Sequence, residues 1–429
     1  ASETDKLLIY EIGGMFMRKH RWKMLLLLLF SATLIGCSGK NDGESSKSEK
    51  FQSDYIDISG KDIKVNGGFF SAIHGMSYFT DFETNTAVPI CNKPDCRHLS
   101  TYEDAETACN AAKGSNNIFP YKGKLYGMMN DEDGTRLVVS EFDGSNRKEK
   151  DYFIDAGCVF HAGVVVGDEL YYFYSDILDA AEEENIQDTK YQRHFNVLNL
   201  DSMKQEEIFT EEADFVNVLG VTKDYLIYSL INGDTPLFYK FEYQTKKSEE
   251  IALHNSGYEL IYFSPDKSSF YYAGTEKNEL DTIYQYHLDT NENEIYLNRS
   301  ELKEFVGEET GYLSLDGILE EGVVFRLSDY PKQWMFFKEK ESGAIRELSL
   351  PQNLPAEGAV LSNFICQTEE GVYLNYYTIG ETEGDLIEWY GYIRWEDLLS
   401  GKNDVEVVLK PSVSSTGNLV DKDGKLIGD

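Results

Sequence analysis

The sequence predicts an all-β fold, a β-propeller of seven blades with four antiparallel strands in each. Three observations predict it. First, the apolar and aromatic residues, among them 29 Tyr and 24 Phe against only 9 Pro, fall in short alternating runs, and long amphipathic helical patterns are scarce. Alternation over a few residues is the pattern of half-buried strands. Second, turn signals such as Asp133-Gly134 and Asp143-Gly144 separate the runs. Asp-Gly favours two-residue hairpins because both central residues tolerate positive φ. Third, the unit recurs: counterpart second-strand positions Leu125, Leu170, Leu226, Phe270, Val323 and Val372 stand 44 to 56 residues apart. That period, with four strands per unit, is the spacing of propeller blades, which stack because one blade cannot bury both of its faces.

Taken in order, "GGFFSAIHGMSYFTDFETNTAVPI" is a short first unit, completed either by "YIDISGKDIKVN" ahead of it or by a strand from the C-terminal "NLVDKDGKLIGD". The unit from "NNIFPYKG" to "KDYFI" is complete, and five more follow it. Insertions such as "ILDAAEEENIQDTKYQR" blur the count, so six or eight blades stay open beside seven. The propeller domain is placed at residues 53–429.

Ahead of it, Met17 is followed by Arg18, Lys19, Arg21 and Lys23, an apolar run from Met24 to Phe30, and small residues. These are the charged, apolar and cleavage regions of a secretory signal peptide, placed at residues 17–36, and the run is too short for a comfortable membrane span. It ends on Leu34-Ile35-Gly36-Cys37, which resembles the lipobox of bacterial lipoproteins. The resemblance implies that Cys37 receives a diacylglycerol thioether and becomes the new N-terminus after cleavage. Residues 1–16 are an upstream extension outside the mature protein, and residues 37–52, polar and rich in Ser, Gly and Lys, are a flexible tether. The expected location is the cell membrane, lipid-anchored and facing out of the cytoplasm.

The formal net charge is −35, and residues 1–36 carry five basic against three acidic side chains, so the remainder is more acidic still. Such a chain repels nucleic acid and anionic lipid, which need basic patches. A membrane partner is therefore reached through the lipid and not through surface charge.

Two stretches carry a resemblance to known propellers. "SPDKSSFYYAG", at Ser264, Pro265 and Asp266, resembles the Ser-Pro-Asp-Gly turn of TolB-type propellers, with Lys267 in place of the usual Gly. "LYGMMNDEDGTRLVVSEFDGSNRKE" and "VPICNKPDCRH" resemble propeller domains of unknown function on bacterial surface lipoproteins. These motifs imply a fold and are nearly silent on activity.

No zinc-peptidase, nucleophile-elbow or phosphate-loop motif is present. "NDEDGT" and "DKDGKLIGD" each carry half of a calcium loop without its acidic terminal ligand and read as hairpin turns. Cys158 and Cys366 fall on expected first strands, where a buried thiol acts as a small apolar residue. His161 reads as a satisfied interior histidine that could face the channel.

Cys91, Cys96, His98 and Cys109 differ, because three thiols and an imidazole converge within nineteen residues. They form a complete tetrahedral set for structural zinc, although their spacing matches no standard finger. A disulfide among the three cysteines is the alternative outside the cytoplasm, and free thiols are the third reading. With Cys37 lipidated, five cysteines remain, so at least one stays unpaired within a monomer. Either bonded form would clasp the connector that leaves the least complete blade.

The expected function is ligand or protein binding and scaffolding, with exposed Tyr and Trp on a face or in the channel engaging a carbohydrate, a peptide or an envelope protein. The alternative is a glycan-cleaving lyase or hydrolase at the channel mouth. No catalytic residue is assigned.

Overall fold

The computed structural model describes residues 51–410, apart from 52, 74, 95, 97, 99–108, 113–115, 180–189, 234, 255–256, 275–279, 308–310, 330–331, 352–359 and 380–385. Cys37, the stretch 17–36 read above as a signal peptide and the C-terminal "NLVDKDGKLIGD" lie outside these residues. No helix among the described residues is long and apolar enough to cross a membrane.

Seven antiparallel sheets follow one another along the chain. Blade 1 spans Asp62–Pro89, blade 2 Asn116–Asp155, blade 3 Val159–Glu212 and blade 4 Phe215–Ile251. Blade 5 spans Ile261–Asn298, blade 6 Tyr312–Leu348 and blade 7 Val360–Leu409. The fold is a seven-bladed β-propeller. In each blade the strands pair in chain order, the first at the axis and the fourth at the rim. Leu125, Leu170, Leu226, Phe270, Val323 and Val372 are each the second residue of a second strand, as the repeat predicts, and Phe69 holds that place in blade 1.

Position in the ring explains the composition of each strand. A second strand is covered on both faces by neighbouring blades, so Ser269–Gly274 is buried throughout and Gly322–Asp329 nearly so. Outermost strands meet water, and Gln205–Glu212 and Lys247–Ile251 are accordingly charged and mostly exposed. Charge along an outer edge also blocks edge-to-edge pairing with another chain.

Sequence and structure differ at several points. Blade 1 is complete. Its inner strand is β2 (Asp62–Val65), so it is not the least complete unit that the sequence suggested. The rest of "YIDISGKDIKVN" goes elsewhere: β1 (Tyr55–Asp57) pairs with the inner strand of blade 3 as a fifth strand on its axial side. The hairpin at Asp133-Gly134 is shifted by one. Asp131 pairs with Gly134, so the loop is Glu132-Asp133, and Gly134 takes φ +133° within the strand. Asp143-Gly144 lies in a longer loop between Ser140 and Lys148, not in a two-residue turn. The "NDEDGT" turn behaves as a turn: Asp131 Oδ1 accepts from the Asp133 N–H at 3.0 Å, and the Asp131 carboxylate pairs with Arg136 at 2.8 Å.

Among the described residues, the ring closes between blades 7 and 1 without a shared strand. Phe69 and Ile73 of blade 1 pack with Tyr373, Tyr390, Tyr392 and Leu409 of blade 7 in one buried cluster. Tyr390 Oη donates to Asp62 Oδ1 at 2.8 Å, Tyr373 Oη donates to Asn85 Oδ1 at 2.5 Å, and Lys61 pairs with Glu388.

Candidate metal centre and axial cavity

Blade 1 ends at Pro89 and blade 2 begins at Asn116, and the connector between them carries the four clustered side chains. Their donor atoms, one from each of Cys91, Cys96, His98 and Cys109, all lie within 4.8 Å of one another. His98 Nδ1 is 3.4 Å from Cys109 Sγ, and His98 holds φ +51°. Cys109 is buried and the other three are half-buried. The cysteines are free thiols in the structure. A tetrahedral zinc–thiolate site needs Zn–S bonds of about 2.3 Å, hence ligand atoms about 3.8 Å apart, so a small contraction of this set would close on an ion. The donor set fits a metal.

The thiols are electrostatically unequal. Burial raises Cys109 to about 12, with the neighbouring Cys91 and Cys96 adding to the rise. Burial also raises Cys91, but the backbone N–H groups of Lys93 and Asn110 and the two other thiols outweigh it and hold Cys91 below its ordinary value. The residues beside the ligands fasten the connector to blade 2. Asn92 Nδ2 donates to Asp143 Oδ2 at 2.6 Å, Asn110 Nδ2 donates to Asn92 Oδ1 at 3.5 Å, and a Cβ on Gly144 would lie 2.6 Å from Ile90 O. Phe142, in the same turn, stacks on Phe51 at 5.0 Å, where the described chain begins.

The second feature is a cavity of about 650 Å³ on the axis. It lies between β1 on one side and the inner strands of blades 4 to 7 and blade 1 on the others. Its aromatic lining is Tyr55, Tyr262, Phe263 and Phe364, and its charged lining is Asp54, Asp57, Asp62, Asp316 and Lys64. Burial lifts Asp57, against the opposing pull of its bonds to Ser59. Burial likewise lifts Asp62 to about 6, with Lys61 and the Tyr390 hydroxyl opposing the rise and Glu388 adding to it.

Asp316 occupies a bulge. The register of blade 6 skips it between Leu315 and Gly317, as blade 4 skips Leu219 and blade 7 skips Ile365. All three bulged residues line the cavity, and blade 6 alone among them places a carboxylate there. Burial lifts Asp316, and Arg326 opposes the rise through an ion pair of 2.7 Å. Arg326 also lies over the Phe364 ring at 6.0 Å, so the pair joins blade 6 to blade 7.

The remaining sequence candidates are placed as follows. His161 is the bulged residue of the blade 3 inner strand. Its Nε2 accepts from Arg193 Nη1 at 2.8 Å and lies 2.8 Å from Ser175 Oγ. Burial, aided by Arg193, drops its pKa to about 4, so it is a neutral, satisfied histidine and does not line the cavity. Cys366 is buried on the inner strand of blade 7 and touches the cavity. Cys158 precedes the blade 3 strand and is only half-buried, contrary to expectation. Trp389, Trp395 and most of the tyrosines are core; of the aromatic face or channel expected from the sequence, Tyr55 and Tyr262 line the axial cavity. Sequence reasoning missed Asp316, although aligning "VLG", "LDG" and "FIC" of blades 4, 6 and 7 shows an acid where apolar residues otherwise stand.

No protein-family model matches the chain, and no curated protein matches it in sequence. Several solved structures resemble it in fold. TolB from Acinetobacter baumannii is 9% identical, with a TM-score of 0.35 over 80% of this chain and 77% of that one. An oligogalacturonate lyase in complex with manganese is 12% identical, with a TM-score of 0.45 over 80% and 88%. A prolyl endopeptidase is 12% identical, with a TM-score of 0.48 over 89% of this chain and 55% of its own. These likenesses are too distant to bear on function.

Proposed function

We propose that the protein is a lipid-anchored, extracytoplasmic binding module whose ligand enters the axial cavity. The observation that carries this reading is the cavity itself. Its volume of about 650 Å³ falls in the range of built ligand sites, and its walls combine aromatic rings with a few convergent charged groups. The lipobox at Cys37 and the signal elements before it support the anchor and the location. The Cys91, Cys96, His98 and Cys109 centre takes a structural zinc ion that fixes the connector on blade 2, distant in role from ligand binding.

The cavity is tested by titrating soluble peptides and envelope-glycan fragments against wild type and Tyr262→Ala. A ligand bound by wild type and lost in the variant supports the site. A ligand bound equally by both places recognition elsewhere. The anchor is tested by fractionating cells that express wild type or Cys37→Ala, where equal recovery in the soluble fraction removes it.

A second reading, glycan cleavage, draws on Asp62. A carboxyl group raised to about 6 beside other carboxylates in a cavity is suited to give up a proton near neutral pH. Turnover of a polysaccharide that is lost in Asp62→Asn would favour it over simple binding.

A further inference from the structure

The cavity has one wall of a different kind. Five of its bounding strands are the inner strands of blades 1 and 4 to 7, but β1 is an added strand that ends the blade 3 sheet at the axis. In an antiparallel pair, successive residues turn their main-chain groups alternately toward the partner and away from it. Ile58 donates its N–H to Gly163 O at 2.8 Å, continuing the register in which Ile56 faces Val165. Ile56 and Ile58 therefore face blade 3 with their main-chain groups, and Tyr55 and Asp57 turn theirs outward. No hydrogen bond joins that outward edge to another described residue. Tyr55 and Asp57 both line the cavity.

An unpaired strand edge is a template for another extended chain. Here it sits inside a cavity, so a peptide added to it would be enclosed instead of merely attached. The charge of the lining narrows the class of peptide. Among the described residues, Asp54, Asp57, Asp62 and Asp316 line the space with Lys64 as the one cationic liner, and Arg326 pairs with Asp316 and not with the first three. Burial keeps Asp57 and Asp62 above the usual carboxylate range, a cost that an incoming ammonium group would relieve.

Resting on the cavity as the binding site, we propose that its ligand is an extended peptide segment with basic side chains, which pairs with Tyr55 and Asp57 of β1 as a further strand of blade 3. Main-chain pairing supplies affinity, and the carboxylates select for alternate basic side chains, the division of labour of strand addition.

The test uses the full chain and two synthetic pentapeptides of alternating lysine and valine, one unmodified and one N-methylated at alternate residues. Both carry the same charge and side chains, but only the first can pair along its whole edge. Calorimetric titration should show the unmodified peptide binding at least tenfold more tightly. Asp57→Asn, which keeps the strand edge and removes one charge, should weaken that binding several-fold and flatten its salt dependence. On saturation, hydrogen exchange should slow in residues 53–59. Equal affinity of the two peptides, both lost in Tyr262→Ala, would overturn strand addition and leave the cavity as the site. Tight binding that N-methylation abolishes but Tyr262→Ala and saturation at residues 53–59 do not affect would locate the paired edge outside the cavity and overturn the proposal. Failure of both peptides to bind at millimolar concentration would overturn it as well.

Discussion

Blade 1 packs apolar side chains on both neighbours, but its two seams differ in what is added to that packing. Toward blade 7 it presents a buried aromatic face, in which Phe69 lies 5.1 Å from Tyr373 and 6.2 Å from Tyr390, with hydroxyl bonds from the same tyrosines to Asp62 and Asn85. Toward blade 2 it must also hold down the chain between Pro89 and Asn116, which contributes one short turn of 3-10 helix and little else that is regular among its described residues. There the fastening is a Cys/His cluster flanked by Asn92 and Asn110, with Phe51 and Phe142 stacked beside it. Both seams have a buried apolar core, Phe70 and Met76 packing with Phe119 and Leu125 toward blade 2, so the difference is the irregular connector that only this seam carries among the described residues. Where two sheets meet face to face, apolar burial closes the seam, with no shared strand among the described residues. Where an irregular connector lies over a blade, with only Ile90, Cys109 and Ala111 of its described residues in the core, the proposed metal centre would offset the entropy of holding it.

The largest effect is expected from breaking the aromatic seam. Phe69 is fully buried, and Phe69→Ala should cost about 3–5 kcal/mol, as for other buried aromatic truncations, and should lower the melting of the whole ring in one transition. Loss of blade 7 alone, with the other six still folded, would contradict closure through this seam.

An intermediate effect is expected at the other seam. His98→Ala removes a ligand from a zinc site but no atom from a disulfide. It should lower the melting temperature, reduce bound zinc from near one equivalent, and make the protein indifferent to chelator. Stability that responds to reductant and not to chelator would decide for a disulfide. Thiols at 91, 96 and 109 that alkylate freely in the native protein would leave the connector unbonded.

A smaller effect concerns pH at the aromatic seam. Asp62 titrates near 6 in the folded chain, above its ordinary value of 3.8, so between these values the folded state holds a proton that the unfolded state has lost. The stability this group contributes is therefore present at low pH and is lost as pH rises through about 6. Asp62→Asn, which keeps an acceptor for Tyr390, should exceed wild type in stability at pH 7, with the gap narrowing toward pH 4. A gap independent of pH would mean that Asp62 is not desolvated in the folded protein.

The repeat was legible because every second strand carries the same burden, burial on both faces, and so repeats an apolar residue at the same place from Phe69 to Val372. The Cys/His centre was legible because its ligand types are rare and lie close along the chain. Three features were not. β1 is three residues long, and nothing local distinguishes a strand of blade 1 from one that crosses to blade 3; that choice is made by contacts more than a hundred residues away. The bulge that turns Asp316 into the cavity is a matter of register, which alternation alone does not reveal. Most of the aromatic residues pack between blades and only a few, such as Tyr55 and Tyr262, reach the cavity, since a Tyr buried to its hydroxyl and a Tyr on a surface look alike in sequence.

The contrast between the two seams is tested most directly by hydrogen exchange on the full chain before and after chelation. The account predicts faster exchange confined to residues 91–98, 109–112 and the turn at 141–145, with the seam strands Gly68–Ile73 and Gly371–Ile379 unchanged. Exchange that rises equally at both seams, or at neither, would contradict it.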